Sequence, residues 1–478
     1  MARSRAAVGV DLGTGSVKVA LVDEQGSILS VATRPYGLSS PHPGWAETDP
    51  RVWLEATQQA AAEIAGEVGD AETVGFSGQM HGVVVCDANL DPLRPAIIWA
   101  DTRAADQAAA MHERLGERVL ARLGSPAVSG FAATSLMWLA EHEPDVLARA
   151  RFALQPKDWL RARLGGAVVT EPSDASGTLL ADVATGTWDR DAISLLGIDA
   201  ELLPRIVASG EPAGEVELAG RTLSCVAGAA DTAAAILGLG LRVDDGFAAV
   251  GSGSQSVSVL DGPSGGIARG THLFATAGAP GTGWYRIGAV QNAGIALRRA
   301  LEWFDASPDE ANAALDGGVR ASDPIFVPYV AGERTPFVDA HLRGAWLGLG
   351  LDTDRPSMLR SVVEGVAHAV ALGMEAVEAA GARLPDPLPL IGGGAVDPRF
   401  QQLIADVSQR RLAPTDQPDA AVVGAALLAL GVTRQATTPG RSIVEPSASN
   451  GRLLAERRAR LVEYVRVQLD STADLPKG

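Results

Sequence analysis

The sequence predicts an α/β protein built from two related halves. β-rich runs alternate with stretches of helical period along the whole chain. A glycine-rich hairpin near the start returns close to half-way. The 478 residues, 46% hydrophobic and 20% charged, describe a folded chain rather than a disordered one. That length exceeds what one core organises, so two large domains fit best.

Three short β-rich runs open the chain, Ala7–Leu12, Val17–Asp23 and Ile28–Ala32, separated by Gly-Thr-Gly-Ser and Glu-Gln-Gly-Ser turns. Asp49 followed by Pro50 marks a helix start, the aspartate as N-cap and the proline in the first turn. A strand (Thr73–Phe76), a loop (Ser77–Gly82) and two more strands (Val83–Cys86, Ala96–Trp99) follow, and helical patterns dominate from Thr102 to Leu164. The turn Gly13-Thr14-Gly15-Ser16, with its strand ending at Asp23, is matched by Gly251-Ser252-Gly253-Ser254 and a strand ending at Asp261. The offset is a constant 238 residues, almost half of 478. A match at that spacing predicts related domains over residues 1–242 and 243–478, each opening on a hairpin whose turn exposes backbone N–H groups. In the second half, Ala293–Phe304 and Arg355–Ala380 have helical period; Leu359, Val362, Val363, Val366, Val370, Met374 and Val377 form one apolar stripe of the longer segment. A strand, Leu388–Ile391, runs into Gly392-Gly393-Gly394-Ala395. A helix starts near Asp397-Pro398, and an amphipathic stretch, Leu453–Leu469, closes the chain.

Composition excludes several functions. A net charge of −17 leaves no Lys/Arg surplus to displace counterions, so no nucleic-acid partner is expected. Two cysteines make neither a disulfide framework nor a zinc site, and Cys86 and Cys225 read as buried small hydrophobes. The apolar run before Asp11 is shorter than a secretory core, and the most apolar window, Ala420–Val432, is too short to span a bilayer. A cytoplasmic protein without a membrane partner is the expectation.

Several motifs carry chemistry. Asp11-Leu12-Gly13-Thr14-Gly15-Ser16, with Lys18 beyond, is neither a P-loop nor a dinucleotide fingerprint, because a strand follows the glycines. Gly13 and Gly15 let backbone N–H groups approach phosphate, Thr14 adds a hydroxyl and Lys18 a charge; Asp11 at the strand end suits a hydrated Mg²⁺. An unliganded hairpin turn is the bland alternative. The repeat at Gly251, Ser252 and Gly253 favours the cradle, since two facing turns can hold one polyphosphate. Ser77-Gly78-Gln79-Met80-His81-Gly82 sits at a sheet end: Gln79 and His81 can hydrogen-bond a polyol and Met80 can pack on its carbon face, although a lone loop histidine is more often structural. Trp99-Ala100-Asp101 lies at another strand end, with Asp101 readable as an N-cap. Asp231 precedes an Ala-rich helix and reads either as an N-cap or as a general base with a pKa near 4. Gly393 and Gly394 allow a flat ring such as adenine to lie against backbone, or else tight helix–strand packing. Gly332-Glu333-Arg334-Thr335-Pro336 reads only as a structured loop, at an interface or elsewhere.

Taken together, VGVDLGTGSVKVALVDEQG, SGQMHG, LRPAIIWADTR, QPKDWLRARLGG, SDASGT, PYVAGERTPF, EGVAHAVALGM and LIGGGA, in that order from residue 8 onward, resemble the FGGY carbohydrate kinases and within them the pentulose-phosphorylating branch. The resemblance implies two actin-like (RNase H-like) domains flanking a central cleft that takes ATP·Mg²⁺ and a sugar. It implies transfer of the ATP γ-phosphoryl to a terminal sugar hydroxyl, O5 in the case of D-xylulose. Carried over by position, Asp231 corresponds to the catalytic base and Asp11 to the essential carboxylate near metal and phosphate. Met80 and His81 correspond to sugar contacts, with Gln79, Trp99 and Thr232 beside them. Gly13, Thr14, Gly15, Lys18, Gly251, Ser252 and Gly253 face phosphates, and Gly393 and Gly394 form the adenine shelf. A homodimer is common in such relatives, although no interface is legible in this sequence.

This chain departs from the family pattern at the base, where Ala-Ala-Asp-Thr (229–232) replaces Gly-Gly-Asp-Asn, so that Thr232 removes an amide from the sugar side. The second turn reads Gly-Ser-Gly-Ser in place of Gly-Thr-Ser-Gly, keeping a hydroxyl and a glycine. The alternatives are therefore a kinase for ribulose, gluconate or a rarer ketose, and a non-catalytic sugar-binding protein on the same fold.

Overall fold

The computed structural model describes residues 5–68, 71–265, 267, 270–415, 419–434 and 442–473. β1 (Ala6–Leu12), β2 (Ser16–Asp23) and β3 (Ile28–Pro35) form an antiparallel meander, close to the three runs read from the sequence. Helix α1 (Pro50–Glu63) starts where the Asp-Pro signal places it, the Asp49 side chain accepting the Arg51 N–H. β4 (Thr73–Gly78) then pairs in parallel with β1, two residues longer than the predicted strand, so that part of the predicted loop is sheet.

The next stretch is a helical insertion containing α2 (Ala105–Arg122), α3 (Ala132–His142), α4 (Pro156–Arg163) and α5 (Pro172–Ser176). Its helical run is interrupted by a short strand, Phe152–Leu154, which pairs with Val84–Cys86, while Ala96–Ile97 pairs with Glu47–Thr48. Two of the predicted strands thus form small, buried ribbons apart from the main sheet. α2 begins only at Ala105, so Asp101 is not its cap. It accepts the N–H groups of Ala46 and Arg103 and is ion-paired with Arg103 inside the protein. β5 (Pro212–Leu218), β6 (Arg221–Val226) and the two-residue β7 (Ala229–Ala230) complete the sheet in the order β5-β6-β4-β1-β2-β3, with β7 on the end of β4. Helix α6 (Asp231–Leu239) follows at once.

The second sheet has the order β10-β11-β9-β8-β12-β13, from β8 (Gly246–Val250), β9 (Ser254–Leu260), β10 (Thr271–Ala275), β11 (Trp284–Val290), β12 (Leu388–Ile391) and β13 (Leu412–Pro414). β10 and β11 are strands the sequence reading passed over. Its helices are α7 (Gly294–Phe304), α8 (Arg355–Ala379), α9 (Pro398–Ser408), α10 (Ala420–Leu430) and α11 (Ala448–Ala473). The whole predicted stripe of α8 is buried in the core of this half.

α10 is the apolar window noted above. It leaves its own half and packs on the first, its Val422, Val423, Ala426 and Leu427 joining Ala7, Ala20 and Val22 of β1 and β2 in one cluster. A helix hydrophobic on every side is buried on every side, and here that burial ties the two halves together. Among the described residues no helix is long and apolar enough to cross a membrane.

Candidate active site

The register of three strand ends builds the site. Asp11 pairs with Ser77 across β1 and β4, and Ser77 pairs with Ala229 across β4 and β7. Leu12, Gly78 and Ala230 form the next row. Asp231 therefore leaves the sheet level with the first hairpin turn, at the carboxyl ends of parallel strands, where α/β proteins place their ligands. It is the first helical residue of α6, not its cap, a position Ala230 occupies. Its carboxylate accepts the N–H and hydroxyl of Thr232.

Burial, then the neighbouring charge of Asp11, pushes Asp231 up to about 6, above the value expected from sequence. Asp11 itself is raised by burial, against the opposing effects of the Ser77 hydroxyl (3.0 Å) and Lys18. The Lys18 ammonium is ion-paired with Asp419 at the foot of α10.

A cavity of about 340 Å³ opens in front of these residues. From the first half it is lined by Thr14, Met80, His81, Trp99, Asp231 and Thr232, and from the second by Gly251, Ser252 and Gly253. The two repeated turns thus face one space. Asp11, Gly13, Gly15, Lys18 and Gln79 do not line it. Gln79 instead donates its side-chain amide to the Gly13 carbonyl (3.2 Å), while its backbone N–H bonds to Leu12, so it shapes the first turn from behind. Trp99 donates its indole N–H to the Thr14 hydroxyl at 2.8 Å.

His81 has a left-handed backbone (φ 75°) and stacks on Phe131 at 3.9 Å. Burial, with a smaller push from Arg334, lowers its pKa to about 3, so the ring is neutral. Nδ1 lies 2.8 Å from the Gly177 carbonyl, which can only accept; the proton is on Nδ1 and Nε2 is left as an acceptor.

The second half supplies residues that sequence reasoning missed. His272 and Phe274 on β10 and Arg334 of the Gly-Glu-Arg-Thr-Pro loop also line the cavity, with Tyr285 of β11 behind Met80. His272 places Nδ1 2.6 Å from the Ser125 hydroxyl of the other half, and burial keeps the imidazole neutral. Arg334 donates to the Trp99 carbonyl and sits 5.2 Å over the Trp99 ring. Buried Glu333, pushed up to about 7 by desolvation, ties that loop to the N–H groups of Gln291 and Asn292. The β-branched and aromatic residues of THLFA and WYRIGAV were the available signal for β10 and β11.

Gly393 and Gly394 fall in an exposed turn beside the cavity, and Gly392 (φ 97°) is the glycine that lines it. A side chain on Gly394 would meet Val250 at 2.9 Å, so close packing accounts for that position, whereas Gly393 faces open space. On the far side of the second turn a groove of about 510 Å³ runs along α7, lined by Gly251, Ser252, Gly294, Leu297, Arg298 and Leu301. It is continuous with the second glycine turn, and Leu297 and Leu301 give it an apolar wall.

Residues 6–238 match the N-terminal domain of the FGGY family of carbohydrate kinases, and residues 280–431 match its C-terminal domain. The chain belongs to this family. It is 34% identical over 451 residues to the xylulose kinase of Escherichia coli (strain K12), covering 92% of this chain and 91% of that one. Similarity to the xylulose kinase of Lactococcus lactis subsp. lactis (strain IL1403) is 32% over 414 residues, with 84% and 82% covered. A solved xyloylose kinase from Brucella ovis superposes with a TM-score of 0.87 at 29% identity, covering 98% of this chain and 100% of that one. A gluconate kinase from Lactobacillus acidophilus reaches the same TM-score at 22% identity, covering 97% and 98%, and shares the fold. The protein is thus a carbohydrate kinase on an actin-like ATPase fold.

Proposed function

We propose that the protein transfers the γ-phosphoryl group of ATP to O5 of D-xylulose. The observation that carries this reading is the placement of Asp231, raised to about 6, in one cavity with both glycine turns. The similarity to several proteins named xylulose kinase supports the sugar. In the reaction the O5 proton passes to the Asp231 carboxylate, O5 bonds to the γ-phosphorus, and the bond from that phosphorus to the bridging oxygen breaks to release ADP. A base near 6 remains mostly ionised at neutral pH and accepts a proton better than one near 4.

Met80, the His81 acceptor and His272 hold the sugar, while Trp99 and Thr14 position its reacting end against the first turn. Ser252 and the second turn hold the triphosphate, and the nucleoside lies in the α7 groove, with Gly393 as the shelf residue left open to it. Halves 1–242 and 243–478 act as the two lobes that close on the substrates.

The residues fit a hydrated Mg²⁺ at Asp11. Two carboxylates whose proton affinity burial raises, Asp11 adding its charge to the rise at Asp231, are relieved by a cation, and among the described residues no cluster of three His, Cys, Asp or Glu would cage one. Asp11 would hold such an ion, which would supply positive charge to the triphosphate.

Thr232 favours a second reading, a kinase for ribulose, gluconate or another ketose, because a hydroxyl stands where the family pattern has an amide. ADP release measured across a panel of ketoses and sugar acids separates the two: turnover greatest on D-xylulose is expected, and turnover on ribulose with none on xylulose reverses the order. Asp231→Asn should lower kcat by ~10²–10⁴ while nucleotide binding persists. Unchanged turnover removes Asp231 from the mechanism.

A further inference from the structure

The Lys-Asp and Ser-Asp-Ala-Ser segments have no part in the chemistry above, yet they fold into a sealed ionic cluster behind Asp231. Lys157, Asp158, Arg161, Glu171 and Asp174 are all fully buried. The Lys157 ammonium reaches Asp158 and Asp174 at 2.8 Å and Glu171 at 3.4 Å.

Glu171 differs from its neighbours in the direction of its contacts. Both its oxygens accept backbone N–H groups, from Ser173 at 3.0 Å and Asp174 at 2.9 Å, and both also face a serine hydroxyl, that of Ser173 at 2.7 and 2.8 Å. The Ser209 hydroxyl lies 2.8 Å from the second oxygen. Each serine is in turn approached by a backbone donor: Ser173 by the Ala230 N–H and Ser209 by the Gly278 N–H, both at 2.9 Å. A hydroxyl has one proton, and a backbone N–H cannot accept it. Both serines therefore accept from the backbone and donate to Glu171, and the polarity of the chain is fixed inward from either end.

The two ends matter. Ala230 is the residue before Asp231. Gly278 lies in the loop between β10 and β11, the strands that bring His272 and Phe274 to the cavity from the other half. Ser209 also donates its own N–H to the Gly278 carbonyl (2.9 Å) and accepts from Gly228 N–H (3.0 Å), so both backbone segments are gripped twice. From this arrangement we infer that Glu171 is a positioning residue for phosphoryl transfer: through Ser173 and Ser209 it couples the backbone that carries Asp231 to the loop of the opposite lobe. The inference rests on the reading of Asp231 as the base.

In Glu171→Gln one acceptor oxygen becomes a donor. That donor faces a backbone N–H in either orientation, Asp174 at the first oxygen or Ser173 at the second, so one buried N–H loses its acceptor, and at the second oxygen Ser209 must also reverse away from Gly278. The full chain is assayed as Glu171→Gln, Ser173→Ala, Ser209→Ala and the double serine variant, on the best sugar found for the unaltered protein. Hydrogen exchange of the segment around Ala230 is followed alongside. Glu171→Gln should lower kcat about tenfold with the ATP KM held within about twofold. Ser209→Ala, which touches nothing in the cavity, should speed exchange at Ala230. The double serine variant should lose no more kcat than the worse single, since either break empties the coupling. A cluster that serves stability alone lowers Tm in every variant, yet leaves kcat and Ala230 exchange in place, and that result overturns the inference, as does strict additivity of the serine losses. If Glu171→Gln fails to fold, Ser209→Ala decides. If the unaltered protein phosphorylates no sugar, the reading of Asp231 falls, while the exchange measurement still tells whether the coupling exists.

Discussion

The two glycine turns close similar hairpins and differ in charge: the first is flanked by ionic side chains and the second is neutral. In the first, Asp11 stands opposite Lys18 on the hairpin, and the turn is braced from outside: Tyr36 and Gln79 both donate to the Gly13 carbonyl, and Trp99 donates to Thr14. In the second, the residues at the same offset are Ala249 and Ser256, which carry no charge. The ladder closes one step sooner, Val250 pairing with Ser254 where Leu12 pairs with Val17. Its braces are the N–H groups of Gly294 and Ile295 at the start of α7, bonded to the Gly251 and Ser252 carbonyls at 3.1 and 2.9 Å. A helix N-terminus carries partial positive charge, so the neutral turn gains from α7 the field that suits phosphate. The first turn instead sits beside two carboxylates and suits the end of the triphosphate where charge is redistributed. On the proposed reading, the two turns divide the grip on the triphosphate between them by their side chains and neighbours.

The largest test of that division is to make the first turn resemble the second. Asp11→Ala should reduce kcat by ~10²–10³, the range for removing a preorganised electrostatic partner of a transition state. It carries a pH signature as well. Asp231 must be ionised to act, so in the unaltered protein kcat/KM should fall as pH drops through about 6. Part of that raised value comes from the Asp11 charge. Removing it lowers the Asp231 pKa, and the acid limb of the residual activity should move to lower pH. A limb that stays in place means the two carboxylates do not sense each other, and the electrostatic contrast between the turns fails.

How much of this was legible beforehand follows the range of the interactions. The turns could be read because glycine, hydroxyl and strand period are local signals. Asp231 could be singled out because it ends an apolar strand and opens a helix. Its raised proton affinity could not, since that depends first on burial in the folded chain and then on Asp11, 220 positions away in sequence, reached only through the β1–β4–β7 register. His272, Phe274 and Tyr285 were hidden because β10 and β11 lie in a run with no flanking motif. Gln79 looked like a polyol ligand on residue type alone, and the fold spends its amide on the Gly13 carbonyl. Arg334 read as part of a bland loop because its partner, Trp99, belongs to the other half.

An intermediate effect is expected from the brace of the second turn. A side chain added at Gly294 would lie 2.4 Å from the Gly251 carbonyl oxygen, inside any allowed contact, whereas one at Gly13 would lie 3.1 Å from Ser16. Gly294→Ala must therefore shift the second turn away from α7, with ~1–3 kcal/mol of overpacking strain. The ATP KM should rise about tenfold or more while the sugar KM stays within about twofold. Gly13→Ala should be milder. Equal effects on both substrates would mean that the second turn does not belong to the nucleotide alone.

The smallest effect should come from the outer brace of the first turn. Tyr36 donates its hydroxyl to the Gly13 carbonyl and also lies 3.2 Å from the Ser16 carbonyl, while Gln79 approaches Gly13 from the other side. Tyr36→Phe removes one of two donors and leaves the ring in place. The net value of one such bond is ~1 kcal/mol, so an increase of about fivefold in the ATP KM is expected, with kcat little changed. Among the described residues the second turn has no comparable side-chain donor on its carbonyls, so the result isolates what outside bracing adds to the first. If Tyr36→Phe is silent, combining it with Gln79→Ala distinguishes a redundant brace from an idle one: redundancy predicts a double loss larger than the sum of the singles. A double variant that still binds ATP normally would place the stiffness of the first turn in its own Gly13–Ser16 bond, at 3.0 Å, and make the two turns alike after all.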